Sequence, residues 1–363
     1  MRDLPPRARL PLLALGFVAL VTGVFAGLAR LGVAVDAKAA SLAGQHGPLM
    51  VAGFFGVVIA LERAVASGRL WTYAAPLAAG LSAIALFAGE PAVAAGLATA
   101  GAIVFSIVSL RFVAISPELH TAVVAAGAVA LVAADLAWWL IGVPAVAVPA
   151  WIAFLALTIA GERLELTRFL PRSARARAGF VAIALVVAGA TAVAWDPRGA
   201  RLLGGALAAL AAWLGANDLA RRTVHDRGLT RFTAVCLLSG YVWLATAGVV
   251  VAVAGLAPGT RAYDAALHAF FLGFVFSMVF GHAPVIVPAV LRVKLPYGQA
   301  FYLPLVFLHL SVALRLAGDA LDMQRLLAAG GIANGVALAG FIATAITAVV
   351  RGKRAARRAA VSG

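Results

Sequence analysis

Twelve stretches of about twenty mostly apolar residues follow one another along the chain, near 10–33, 45–64, 70–88, 92–112, 118–141, 146–169, 179–195, 200–220, 231–255, 264–290, 298–318 and 326–350. Each is long enough to cross a bilayer as an α-helix. Only helices and closed barrels can satisfy their backbone in lipid, so runs of this length predict an all-α polytopic fold of about twelve transmembrane helices. Composition agrees. Of 363 residues, 64% are apolar and 12% charged, with a mean hydropathy of +1.02. A soluble domain carries about 25% charged residues, and one compact core could not bury so much apolar surface. An ordinary cytosolic enzyme, a secreted disulfide scaffold and a disordered chain are excluded. The third and fourth runs are separated only by Gly89-Glu90-Pro91. The first run has a basic flank and reads as a retained signal-anchor helix. The loops leave no room for a soluble domain, which predicts a single membrane domain over 1–363.

The formal charge of +15 is dispersed in short runs between the apolar stretches, where a membrane explains it better than nucleic acid does. With the N-terminus inside, the inner segments hold 22 of the 29 Lys and Arg residues and the outer loops 5, while Arg30 and Arg315 fall within spans. That bias predicts a bacterial inner-membrane protein with both termini in the cytoplasm. All the basic residues except Lys38, Lys294 and Lys353 are Arg, a bias that suits a GC-rich bacterial genome. The single cysteine, Cys236, excludes disulfides, CxxC metal sites and covalent CxxCH haem attachment. No Walker A, HExxH or GxSxG motif occurs.

Ionisable groups in hydrocarbon are costly and mark function. Five of the six histidines fall in or beside the runs: His46, His120, His268, His282 and His309. His225 shares a loop with Arg221, Arg222, Asp226 and Arg227 and reads as solvated. His46 opens the second run and His268 lies about one turn into the tenth, both from the outside. His309 lies near the middle of the eleventh run, and His120 sits beside Glu118. His282 follows His268 by 14 residues, about 21 Å along an α-helix and within about 40° of the same face. Two imidazoles from different helices at one depth are what a bis-imidazole haem needs. His46 and His268 meet that condition, with His309 as the substitute ligand. No Glu-x-x-His pair is present, which argues against a bundle-type di-iron site.

A phrase recurs in the second, sixth and tenth runs. Gly53-Phe54 leads to Glu62-Arg63, Ala153-Phe154 to Glu162-Arg163, and Gly273-Phe274 to His282. In each, the polar residue stands nine positions after the small one. The implied unit is four helices repeated three times, over 10–112, 118–220 and 231–350. Glu62, Glu162 and His282 would then occupy equivalent positions near the cytoplasm, as a second haem site, a metal site (His46, His268 and His282 being the candidate metal-binding histidines) or a proton path. Glu162-Arg163, continuing into Glu165 and Arg168, equally reads as ion pairs closing a helix end. Arg315 in the eleventh run would pair with a haem propionate or with Asp319.

His46-Gly47-Pro48-Leu49-Met50 resembles the H-G-x-x-M stretch in the second helix of haem-copper oxidase subunit I, where the histidine ligates low-spin haem. Those subunits have twelve helices, cytoplasmic termini and pseudo-threefold four-helix units, and their tenth helix supplies the opposing ligand. The chain also resembles the NnrS family of haem-containing membrane proteins linked to nitric oxide stress, over His268 to Pro284 and Tyr302 to Arg315. It departs from the oxidases in having no histidine in the sixth and seventh runs, where copper ligands stand, and thirteen residues between His268 and His282. The resemblance therefore implies a b-type haem without a copper centre, serving electron transfer or nitric oxide handling, with a quinol or a redox protein as partner. Two other readings stay open. Pro284 and Pro288 in the tenth run, and Gly330-Gly331 with Asn334 in the twelfth, suit a proton-coupled transporter. A cofactor-free membrane assembly factor also fits.

Overall fold

A computed structural model describes residues 3–167 and 173–362, with side chains as far as 353. The described chain is 87% helical and without strands. Twelve helices are long and apolar enough to cross a membrane: Pro6–Arg30, Ala43–Ser67, Leu70–Ala88, Pro91–Ile115, Leu119–Ile141, Pro144–Leu166, Ala174–Val193, Pro197–Asn217, Gly228–Ala254, Arg261–Leu291, Gln299–Ala320 and Gln324–Lys353. They are the twelve runs of the sequence, with ends displaced by at most five residues. The chain is a multi-pass membrane protein.

Local chemistry sets the breaks. Gly89 takes a left-handed conformation (φ 90°) that ends the third span, and Pro91, which needs no N–H partner, opens the fourth. Ser173 Oγ accepts from the Ala176 N–H to start the seventh span. Thr260 Oγ1 accepts from the Tyr263 N–H at 3.1 Å and starts the tenth, which fixes the first turn that carries Asp264 and then His268.

The chain divides into two compact units, Met1–Ala206 and Leu207–Gly363. In the first, the middle of the sixth span has no exposed face. Every residue from Trp151 to Gly161 is buried, as expected of a helix that is apolar all round. Glycines bring the fifth span against it. A Cβ at Gly127 would lie 2.7 Å from Thr158 Oγ1 and 2.9 Å from the Phe154 carbonyl, and one at Gly161 would lie 3.1 Å from the His120 carbonyl. Small residues of this kind are how helices pack closely in lipid. Gly127→Val should therefore force the two helices apart and destabilise the protein by about 1–3 kcal/mol, read as an earlier thermal transition in detergent. An unchanged transition would mean that the contact is slack.

In the second unit the eleventh and twelfth spans pack closely. A Cβ at Gly330 would stand 2.7 Å from the Arg315 backbone nitrogen. The tenth span ends where Arg292 turns left-handed (φ 51°) after Pro284 and Pro288.

Two spans share a rarer feature. Residues Leu49–Phe55 in the second span and Ala269–Phe276 in the tenth are π-helical. Such backbone makes up well under 1% of residues and is frequent at functional sites. One segment starts three residues after His46, the other directly after His268. The sixth span, which carries the third copy of the repeated phrase, is regular α-helix over Val148–Leu166.

Candidate functional site: histidines of the π-helical spans

In the first unit, His46 is held by the first span. Its Nδ1 lies 2.7 Å from the Gly23 carbonyl oxygen. The ring packs on Gly27, where a Cβ would come within 2.8 Å of both Cε1 and Nδ1, and Met50 Sδ fills the equivalent position over Gly23. Gly23 and Gly27, one turn apart, thus form a slot for the histidine and methionine of the H-G-x-x-M stretch. A carbonyl can only accept, so Nδ1 carries the proton, and in the neutral ring the lone pair is on Nε2.

In the second unit, His268 is arranged the same way. Its Nδ1 lies 2.8 Å from the Asp264 carbonyl oxygen and 3.3 Å from Asp264 Oδ1. Asp264 is itself clamped by Arg315, whose Nε and Nη2 donate to its two carboxylate oxygens at 2.9 Å each. A carboxylate and a carbonyl behind Nδ1–H fix the tautomer of the ring, an arrangement common to metal-binding histidines. His282 donates from Nδ1 to the Met278 carbonyl at 2.7 Å, so its lone pair also lies on Nε2.

His309 differs. Trp243 Nε1–H, which can only donate, points at its Nδ1 at 2.9 Å. The neutral ring must carry its proton on Nε2, and that buried nitrogen has no hydrogen-bond partner among the described residues. The tautomer set by Trp243 makes Nε2 a donor, so His309 is not prepared as a ligand. His120 is half-buried, and His225 is exposed between the eighth and ninth spans.

Three further details differ from the sequence reading. Arg315 hydrogen-bonds Asp264 rather than Asp319. Asp319 is buried beside both. Its oxygens have no donor among the described residues, although a proton shared with Asp264 would link the two carboxyls. His268 and His282 are separated by a π-helical stretch, so the face and the spacing expected of a continuous α-helix do not carry over.

Glu62, Arg63 and Glu162 do meet in the first unit. Arg63 Nη2 stands 4.0 Å from Glu162 Oε1 and its guanidinium lies over the Phe112 ring at 5.7 Å, while Glu62 and Glu165 complete the group. Arg168 lies outside the described residues. Within single units, no three His, Cys, Asp or Glu side chains among the described residues gather as a metal would need.

Sequence reasoning missed two groups. Gly23 and Gly27 were visible as a small-xxx-small pair in the first span. Asp135 in the fifth span, 1% exposed, accepts from Trp151 Nε1–H at 2.9 Å, and a lone acid in an apolar run was its signal.

Among known proteins, one family model matches residues 9–350, nearly the whole chain, under the description "Domain of unknown function (DUF8744)". The chain belongs to that family. No curated protein and no solved structure matches it. Membership of DUF8744 thus brings the extent of the matched unit, which reaches from the first span to the twelfth, and no activity.

Proposed function

We propose that this protein is a haem-binding protein of the bacterial inner membrane, with both termini in the cytoplasm, and that His46 and His268 are imidazole ligands of b-type haem. The observation that carries the reading is the shared state of these two rings. Each directs Nδ1–H to a backbone carbonyl, the tautomer whose lone pair is on Nε2, and each heads a π-helical stretch. His282 has the same tautomer and is the candidate for a further site; His309, with the opposite one, is left out. When bound, haem would supply one-electron chemistry, for electron transfer or for nitric oxide handling, with a quinol or redox protein as the electron source. The chain's own part is to hold the rings in one tautomer, to neutralise negative charge near His268 through Arg315, and to keep water away. The resemblance to haem-copper oxidase and NnrS proteins points the same way, and the excess of Lys and Arg in alternate loops supports the orientation.

The test is the absorption spectrum of the protein purified from haem-replete cells, oxidised and then dithionite-reduced. A Soret band with sharp α and β bands on reduction is expected, and His309→Gln should keep it. A colourless preparation would end the haem reading. It would favour a proton-coupled transporter instead, the second reading, for which the Glu62–Arg63–Glu162 group is the specific observation.

A further inference from the structure

The first unit contains a cavity of about 10 Å³, room for about one water molecule. Its wall is Ala52, Gly56 and Ala60 of the second span, Ala98 and Ala102 of the fourth, and further apolar residues, with one exception. The exception is Asp135. This side chain is 1% exposed, and the one donor that reaches it among the described residues is Trp151 Nε1–H, on Oδ1. Among the described residues no hydrogen bond reaches Oδ2.

We propose that Asp135 and a single water in this cavity form an intramembrane proton-binding site. The donor inventory leads there. An ionised Asp135 needs a second donor for Oδ2, and a protonated one needs an acceptor for its O–H. The apolar wall offers neither, whereas a water can act as both. The same molecule can therefore take the proton from Oδ2 and return another. In that exchange the carboxyl O–H bond breaks as one forms to the water oxygen, and nothing is oxidised or reduced. No other titratable group lines the cavity. On the surrounding helices the others are His46, Glu62 and Arg63 in the second span, Tyr73 in the third, Arg111 in the fourth, His120 in the fifth, and Glu162, Arg163 and Glu165 in the sixth. Glu62 comes two residues after the cavity-lining Ala60, whereas Asp135 itself, held by Trp151, lies about 16 Å along the sixth span from Glu162. A purely structural Trp–Asp hydrogen bond between helices would need no such cavity and no exchange.

Infrared spectroscopy of the full-length protein in lipid films separates the two. A protonated-carboxyl C=O band is expected that disappears in Asp135→Asn and shifts to lower frequency within minutes of changing to D2O. Ala102→Val, which puts two methyls into the cavity, should slow that shift at least tenfold. Trp151→Phe removes the indole donor and should raise the frequency of the same band, which identifies it even if Asp135→Asn does not fold. The proposal fails if no band responds to these substitutions, if the band does not shift in D2O over hours, or if Ala102→Val exchanges at the wild-type rate. None of these readouts depends on haem.

Discussion

Replacing either His46 or His268 with alanine should abolish or convert the low-spin haem spectrum. On the proposed ligation the bond needs a ring nitrogen about 2 Å from iron, and an alanine side chain offers none. The effect should be close to complete, with the Soret band of each variant lost or moved to a high-spin form. His225→Ala is the control, since that residue is exposed in a loop, and its spectrum should match the wild type. Gly27→Leu adds a test of the setting rather than the ligand. Its side chain would occupy the space of the His46 ring, so haem should be lost although every histidine is present. Should both histidine variants retain a wild-type spectrum, the ligand assignment is wrong, even in a protein that binds haem.

Arg315→Ala should be the most destabilising change in the second unit. Arg315 is 6% exposed and holds Asp264 through two hydrogen bonds, with the donorless Asp319 carboxylate close by. Removing the guanidinium leaves two acidic groups facing each other, with Arg261 and His268 as the remaining basic groups near them. Breaking a buried pair in this way costs on the order of 3–5 kcal/mol, and the partial exposure of Asp264 places this case at the lower end. Arg315→Lys should recover only part of the loss, because an ammonium cannot reproduce the two-point contact. The decisive variant combines Arg315→Met with Asp264→Asn and Asp319→Asn. If uncompensated charge is the cause, this triple change should melt well above Arg315→Ala in a thermal unfolding series. If it melts no higher, the loss in Arg315→Ala comes from packing against the twelfth span instead.

The architecture was legible in the sequence because lipid imposes one demand on every span. A run of about twenty apolar residues has almost no alternative to a helix, and Gly89-Glu90-Pro91 carries its own stop and start. The π-helical segments were not legible, since Leu49–Phe55 and Ala269–Phe276 have the same apolar composition as the regular helices around them. The histidines stood out as expensive residues, but their tautomers depend on what lies across the helix interface. Trp243 over His309 and the Gly23 carbonyl beside His46 are 66 and 23 residues away from them in the chain. Arg315 illustrates the same gap. Asp319, one helical turn along the same helix, was the natural partner by spacing, yet Asp264 at the start of the tenth span takes the contact. Spacing along a helix predicts neighbours on that helix and is silent about the next one.

The sixth span, sealed on all sides between Trp151 and Gly161, sets how the protein answers to its membrane. Bilayers of different thickness act on helices through the surface they share with lipid, and this stretch shares none. Thinning or thickening the membrane should tilt the peripheral helices while the sixth stays in place like a mast. Trp151 near one of its ends and Glu162 near the other would then keep their depth, so the polar groups they contact, Asp135 and Arg63, should be insulated from changes in lipid chain length that alter the rim.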